Sequence, residues 1–151
     1  MASEATLYLD SSALVKLVID ESHTPALLDA VSDHKLLSSE IAITEVPRAV
    51  GRALVSRHGK PAQAARRAME KLLSGLAYVP ITRPLLARAG SFSEAWLRAL
   101  DAIHVASALE VEQELEAFIS YDERQLAAAR RAGLLVRCPD ELRRARTAAA
   151  T

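Results

Sequence analysis

Cysteine occurs once in this 151-residue chain, at position 138, which excludes an internal disulfide and any zinc site built on several thiolates. A reducing compartment fits this, and Cys138 is expected to be a small packed residue. Aromatic residues are also sparse, with Trp96, three tyrosines and two phenylalanines, so recognition of single strands by a platform of stacked rings is not expected. Long apolar runs are missing: charge interrupts every candidate well short of the roughly 18 residues of a membrane span. The opening MASEATLYLD lacks a basic segment followed by an apolar one, so no signal peptide is expected and a cytoplasmic location is. No glycine-rich stretch ends in Gly-Lys-Ser/Thr, which excludes a Walker phosphate loop. Asp10 is followed by two serines, which removes the Asp-x-Asp pair of haloacid-type phosphatases.

What is present is half hydrophobic and a quarter charged, enough apolar material for one packed domain. We expect that single domain to span residues 1–151, with its core within about 6–139 and a frayed, alanine-rich tail over about 143–151. The net charge is zero, but residues 1–45 carry eight acids against Lys16 and Lys35, and the remainder carries the compensating positive excess. That polarity fits an acidic site beside a basic substrate-binding surface; a solvated surface of mixed sign explains it as well.

Strand formers and helix signals alternate. Thr6-Leu7-Tyr8-Leu9 reads as a strand that runs into Asp10-Ser11-Ser12, helix-capping residues before the periodic ALVKLVI. A helix is expected from about Thr24 to Val31 and a short strand near Leu36–Ser38. Ser38 or Ser39 then caps a long helix over residues 40–59, kinked at Pro47 and ended by Gly59. Pro61 opens a helix that Gly75 closes, Ala77–Ile81 reads as an edge strand, and Pro84 opens a short helix. Residues 93–114 carry a continuous helical pattern, followed by the strand AFIS, a helix capped by Asp122, and the strand LLVR. Alternation of this kind predicts an α/β layer fold on a mainly parallel sheet, with ligands gathered at the carboxyl ends of the strands.

Four acids stand out against that frame. Asp10 and Asp122 follow strands, at the sheet edge where an α/β fold builds its sites, although each equally suits a helix cap. Asp101, with Leu97, His104 and Val105 as helical neighbours, falls on or beside an apolar stripe, where an unpaired charge is costly; a metal ion or Arg98 would relieve it. Glu45 has Arg48 three residues on, so a surface ion pair accounts for it when it is considered alone. Together the four offer oxygen ligands suited to Mg²⁺ or Mn²⁺. His104 is expected to be packed or hydrogen-bonded rather than a general base. Arg48, Arg52, Arg57, Arg66, Arg67 and Lys71 form a candidate phosphate-contacting stripe, or a solvated helix face.

The segments YLDSSALVKL, AITEVPRAV, LDAIHVASAL and FISYDERQLAAARRAGLLV together resemble those of the PIN-domain ribonucleases, in particular the VapC toxins of bacterial and archaeal toxin–antitoxin pairs, over about residues 7–139. The resemblance implies a PIN-like three-layer α/β/α fold with a mainly parallel sheet of about four or five strands. It implies an acidic metal-binding quartet of Asp10, Glu45, Asp101 and Asp122 for Mg²⁺ or Mn²⁺; Asp10, Asp101 and Asp122 are the first choices as ligands, and Glu45 either ligates the metal or orients the attacking water or accepts its proton. Ser12 and Ser120 occupy the family's supporting hydroxyl positions, and Arg48 and Arg52 are the first candidates for substrate contact. The implied activity is metal-dependent endoribonuclease cleavage of RNA, restrained by a cognate antitoxin; a homodimer is implied too. Leu14, Leu17, Val18, Leu27 and Leu28 offer part of a groove for the antitoxin, or else core packing. Two rivals remain: a non-catalytic RNA-binding or protein-interaction module whose carboxylates serve as caps, and a DNA-directed or 5′-nuclease using the same chemistry.

Overall fold

The structure, a computed structural model, describes residues 5–19 and 24–139, together with residue 148. The expected C-terminal tail, apart from residue 148, lies outside the described residues. The first strand, β1 (Thr6–Leu9), leads into α1 (Ser11–Val18), α2 (Thr24–Val31) and β2 (Lys35–Ser39). The chain continues through α3 (Ala42–Ala53), α4 (Lys60–Gly75) and β3 (Ala77–Val79), then α5 (Arg83–Gly90) and α6 (Ala99–Glu110). A 3₁₀ turn (Glu112–Glu114), β4 (Leu115–Ile119), α7 (Glu123–Arg131) and β5 (Val136–Arg137) follow. Every strand pairing is parallel, in the order β3-β2-β1-β4-β5. This is the α/β layer fold expected from the alternation.

Side chains alternate along each strand, and the sheet therefore feeds two cores. Leu7 and Leu9 of β1 and Ala117 and Ile119 of β4 pack with α1 to α4, while Tyr8 and Phe118 pack with α5, α6 and α7. Tyr8 and Phe118 stack with ring centroids 5.2 Å apart, an arrangement worth about 1 kcal/mol beyond the area it buries. All of β1 is buried, as the middle strand of a sheet covered on both faces must be. From β1 the chain moves to one side of the sheet through β2 and β3, then returns to β1's other side at β4. The switch point lies between β1 and β4, and at its carboxyl edge stand the residues that follow those strands, from Asp10 and from Ser120 onward.

Several boundaries differ from the sequence expectation, among them β3, which ends at Val79 rather than Ile81, and β5, which takes only the last two residues of LLVR. The long helix over 40–59 is α3 alone, ending at Ala53; Gly59, at φ 73°, is the residue before α4. Neither Ser38 nor Ser39 caps α3: Ser38 donates to the Leu9 carbonyl, and Ser39 accepts from the Ile41 N–H before an uncapped start. The helical pattern over 93–114 shortens to Ala99–Glu110, because Arg98 is extended (φ −72°, ψ 156°). Tertiary contacts override propensity there: Phe92 and Leu97 pack on the second core, and Glu94 pairs with Arg131 at 3.0 Å. Of the suggested groove residues, Leu14, Val18 and Leu27 are core, Leu17 packs against it, and Leu28 is exposed. Among the described residues, no helix is long and apolar enough to cross a membrane.

Candidate active site

All four acids of the quartet sit at helix N-termini. Asp10 is the N-cap of α1, Asp122 the N-cap of α7, and Glu45 and Asp101 lie in the first turns of α3 and α6. Helices that return the chain between parallel strands begin at the strands' carboxyl ends, and unpaired N–H groups there favour a nearby carboxylate. The shortening of α6 is what puts Asp101 in a first turn. The four acids line one open cleft of about 620 Å³, which Arg48, Arg52 and Arg98 also line.

Asp10 is 2 % exposed. Its Oδ1 accepts from the Ala13 N–H at 2.9 Å and the Ser12 hydroxyl at 2.7 Å, and its Oδ2 accepts from the Ser120 hydroxyl at 2.6 Å. Ser120 also accepts from the Asp122 N–H at 3.0 Å, so one hydroxyl at the end of β4 ties the two aspartate positions together. Burial pushes the Asp10 carboxyl above the usual aspartate range; nearby His104 and the bonds from Ser120, Ser12 and Ala13 offset this only in part. Asp122 caps with Oδ1, accepting from the Arg124 and Gln125 N–H groups at 2.9 and 3.1 Å. Capping thus occupies only one oxygen of Asp122, so it does not compete with a role in the cleft.

The arginine that could relieve the Asp101 charge is in place: Arg98 Nε lies 3.1 Å from Asp101 Oδ2, and its Nη2 lies 3.6 Å from Asp122 Oδ2. For Glu45 the surface pair with Arg48 does not form; its Oε1 instead accepts from His104 Nε2 at 2.7 Å and from the Ser11 hydroxyl at 2.8 Å. Burial alone would raise the Glu45 carboxyl, but the His104 bond and charge, Ser11 and Arg98 outweigh it and leave its pKa lowered. His104 is buried and hydrogen-bonded, as expected, though its partners lie in the cleft as well as the core. Sequence reading missed Ser11, Arg98 in its pairing with Asp122, and Gln125, whose amide accepts from Ser120 and donates to the Asp101 carbonyl, both at 3.3 Å. Arg57 and Arg66 line a separate hollow at the α3–α4 turn, and Arg67 and Lys71 lie on exposed positions of α4.

An all-oxygen donor set suits a hard divalent cation, and a buried carboxylate held above its usual pKa is one whose charge a cation would stabilise. As placed, no three His, Cys, Asp or Glu side chains among the described residues converge enough to hold one ion. The donor chemistry fits; for Asp101 and Asp122 to join, they must exchange the Arg98 guanidinium for the ion.

The PIN domain family model matches residues 7–131. Ribonuclease VapC47 of Mycobacterium tuberculosis is 36% identical over 137 residues, covering 91% of this chain and 99% of that protein. The crystal structure of PAE2754 from Pyrobaculum aerophilum superimposes with a TM-score of 0.66 at 22% identity, covering 97% of this chain and 99% of the other. The fold is also that of VapBC2 from Rickettsia felis, solved bound to a DNA fragment from their promoter (TM-score 0.61, 12% identity, 88% and 98% covered). With a family match across most of its length and a curated relative aligned almost end to end, the chain belongs to the PIN domain family, among the VapC ribonucleases.

Proposed function

We propose that the chain is a divalent-metal-dependent endoribonuclease centred on Asp10, Glu45, Asp101 and Asp122. The observation that carries this reading is the meeting of four carboxylates, from four helix N-termini, in one cleft at the switch point of the sheet. Asp10, Asp101 and Asp122 would hold Mg²⁺ or Mn²⁺, which when bound supplies the charge needed to activate water and to offset the charge developing on the phosphate. Ser12 and Ser120 fix the Asp10 carboxylate in a single orientation. Glu45 orients the attacking water or accepts its proton. Arg48 and Arg52, one turn apart on α3 and both lining the cleft, contact the phosphates that flank the scissile bond.

The VapC resemblance adds a cognate antitoxin that blocks the cleft with a basic side chain. Support for that mode comes from Arg98, since a guanidinium already sits against Asp101 and Asp122. The reading also carries a cytoplasmic location and a homodimer, which fractionation and light scattering check.

The test is incubation of the purified, antitoxin-free protein with total cellular RNA in Mg²⁺ or Mn²⁺, alongside an EDTA lane and Asp101→Asn. Cleavage lost in both controls is the expected result. A folded wild-type protein that leaves the RNA intact would shift the reading to a binding module. Offering RNA and DNA of one sequence separates a ribonuclease from a DNA-directed enzyme.

A further inference from the structure

His104 joins the core to the cleft. It lies one turn beyond Asp101 on α6 and is 1 % exposed, yet its Nε2 reaches Glu45 Oε1 at 2.7 Å. Its other nitrogen, Nδ1, lies 2.8 Å from the Tyr8 hydroxyl. The Ser11 hydroxyl donates to the same Glu45 oxygen at 2.8 Å and lies 3.0 Å from His104 Nε2. With the Ser11 proton directed at Glu45, the short Nε2 contact to a carboxylate requires a proton on Nε2, so His104 is the second donor. Tyr8, at the far end of this chain of bonds, is in the middle strand of the sheet, stacked on Phe118 and edge-on to the His104 ring.

A glutamate has three side-chain torsions, and one placed at a cleft wall samples several orientations unless something holds it. Here two donors occupy Oε1, which leaves Oε2 for chemistry. Resting on the nuclease reading above, we propose that His104 is a positioning residue for Glu45: with Ser11 it clamps Oε1 so that Oε2 meets the attacking water in one orientation, and Tyr8 anchors the clamp to the core. The burial of the histidine is what makes this clamp rigid. A solvent-exposed partner such as Arg48 would not constrain Glu45 in the same way.

A double-mutant cycle tests the clamp. His104→Leu is expected to lower kcat about 10- to 100-fold, with KM and Mn²⁺ affinity changed by no more than about twofold. His104→Gln, whose amide donor lies near the position of Nε2, is expected to recover most of that loss. In a Glu45→Gln background, where the orientation of the carboxylate no longer matters, His104→Leu is expected to cost nothing further. Equal losses in both backgrounds, or a fall in Mn²⁺ affinity matching the fall in kcat, overturn the proposal. Should His104→Leu not fold, Ser11→Ala removes the other donor and is read in the same cycle with the same criteria. The geometry is also read without catalysis: the His104 Nε2 proton is expected to give a slowly exchanging NMR signal in the wild type that Glu45→Ala abolishes. A signal indifferent to Glu45→Ala overturns the clamp whether or not RNA is cut, whereas wild-type protein that fails to cut RNA while showing the signal defeats only the nuclease reading.

Discussion

Asp10 is 2 % exposed and meets only neutral hydrogen-bond donors, whereas Asp101 and Asp122, in the same cleft, share a guanidinium whose side chain is 76 % exposed. The first arrangement fixes a carboxylate in place and leaves its charge poorly compensated. The second offsets part of the charge with an exposed partner that solvent screens, and such exposed pairs contribute about 0–1 kcal/mol. The contrast separates two tasks within one site. One position is organised in advance at a cost to stability, and two positions share a single positive charge that is exposed to exchange.

The largest effect that would break this comparison is expected from Asp10→Asn. Loss of a charge that stabilises the transition state by several kcal/mol corresponds to about a thousandfold fall in RNA cleavage. The amide oxygen can still accept from the Ala13 N–H and Ser12, so the metal-free variant is expected to melt no lower than the wild type, and higher at neutral pH. Calorimetry of the two proteins in EDTA checks this; a large drop in melting temperature would make Asp10 chiefly a cap. Glu45→Gln is expected to lower kcat about a hundredfold while leaving Mn²⁺ binding in place, measured by single-turnover cleavage and titration.

Effects on the core side are smaller and fall on stability. Tyr8→Phe removes the hydroxyl facing His104 Nδ1 and strands a buried nitrogen, a cost of about 1–3 kcal/mol, or several degrees in thermal melting. Arg98→Gln sharpens the comparison on its exposed side. Removing a competing cation is expected to tighten Mn²⁺ binding, by less than about tenfold given the weakness of exposed pairs. The pH response of the metal-free protein carries both signs. Asp10, with its pKa raised, favours the folded state while protonated, and that contribution is lost as pH rises from the ordinary carboxylate range through its folded value. Glu45, with its pKa lowered, contributes stability above the ordinary glutamate value that is lost as pH falls through its folded value. Melting curves across the acid range, compared with Asp10→Asn and Glu45→Gln, separate the two.

Asp10 and Asp122 were legible as candidates from sequence alone because their signals are local: a strand, then a capping residue, then a helix. Glu45 gained weight only from the resemblance of whole segments, whereas Asp101 stood out locally as a charge beside an apolar stripe, though each had a candidate ion-pair partner within one helical turn. The structure realises that partner for Asp101 and replaces it for Glu45. The bond from His104 to Glu45 spans 59 positions, and that from Ser11 to Glu45 spans 34. Periodicity carries no record of such pairings. The start of α6 was missed for a related reason: residues 93–98 have helical propensity, but their packing and the Glu94–Arg131 pair decide otherwise.

The most direct test of the central claim, that this cleft is a divalent-cation centre organised around Asp10, is a Mn²⁺ titration of the wild type and Asp10→Asn followed by electron paramagnetic resonance. The account predicts saturable binding in the wild type, lost in the variant while its circular dichroism stays native. Equal binding by both proteins, or none by a folded wild type, would contradict it.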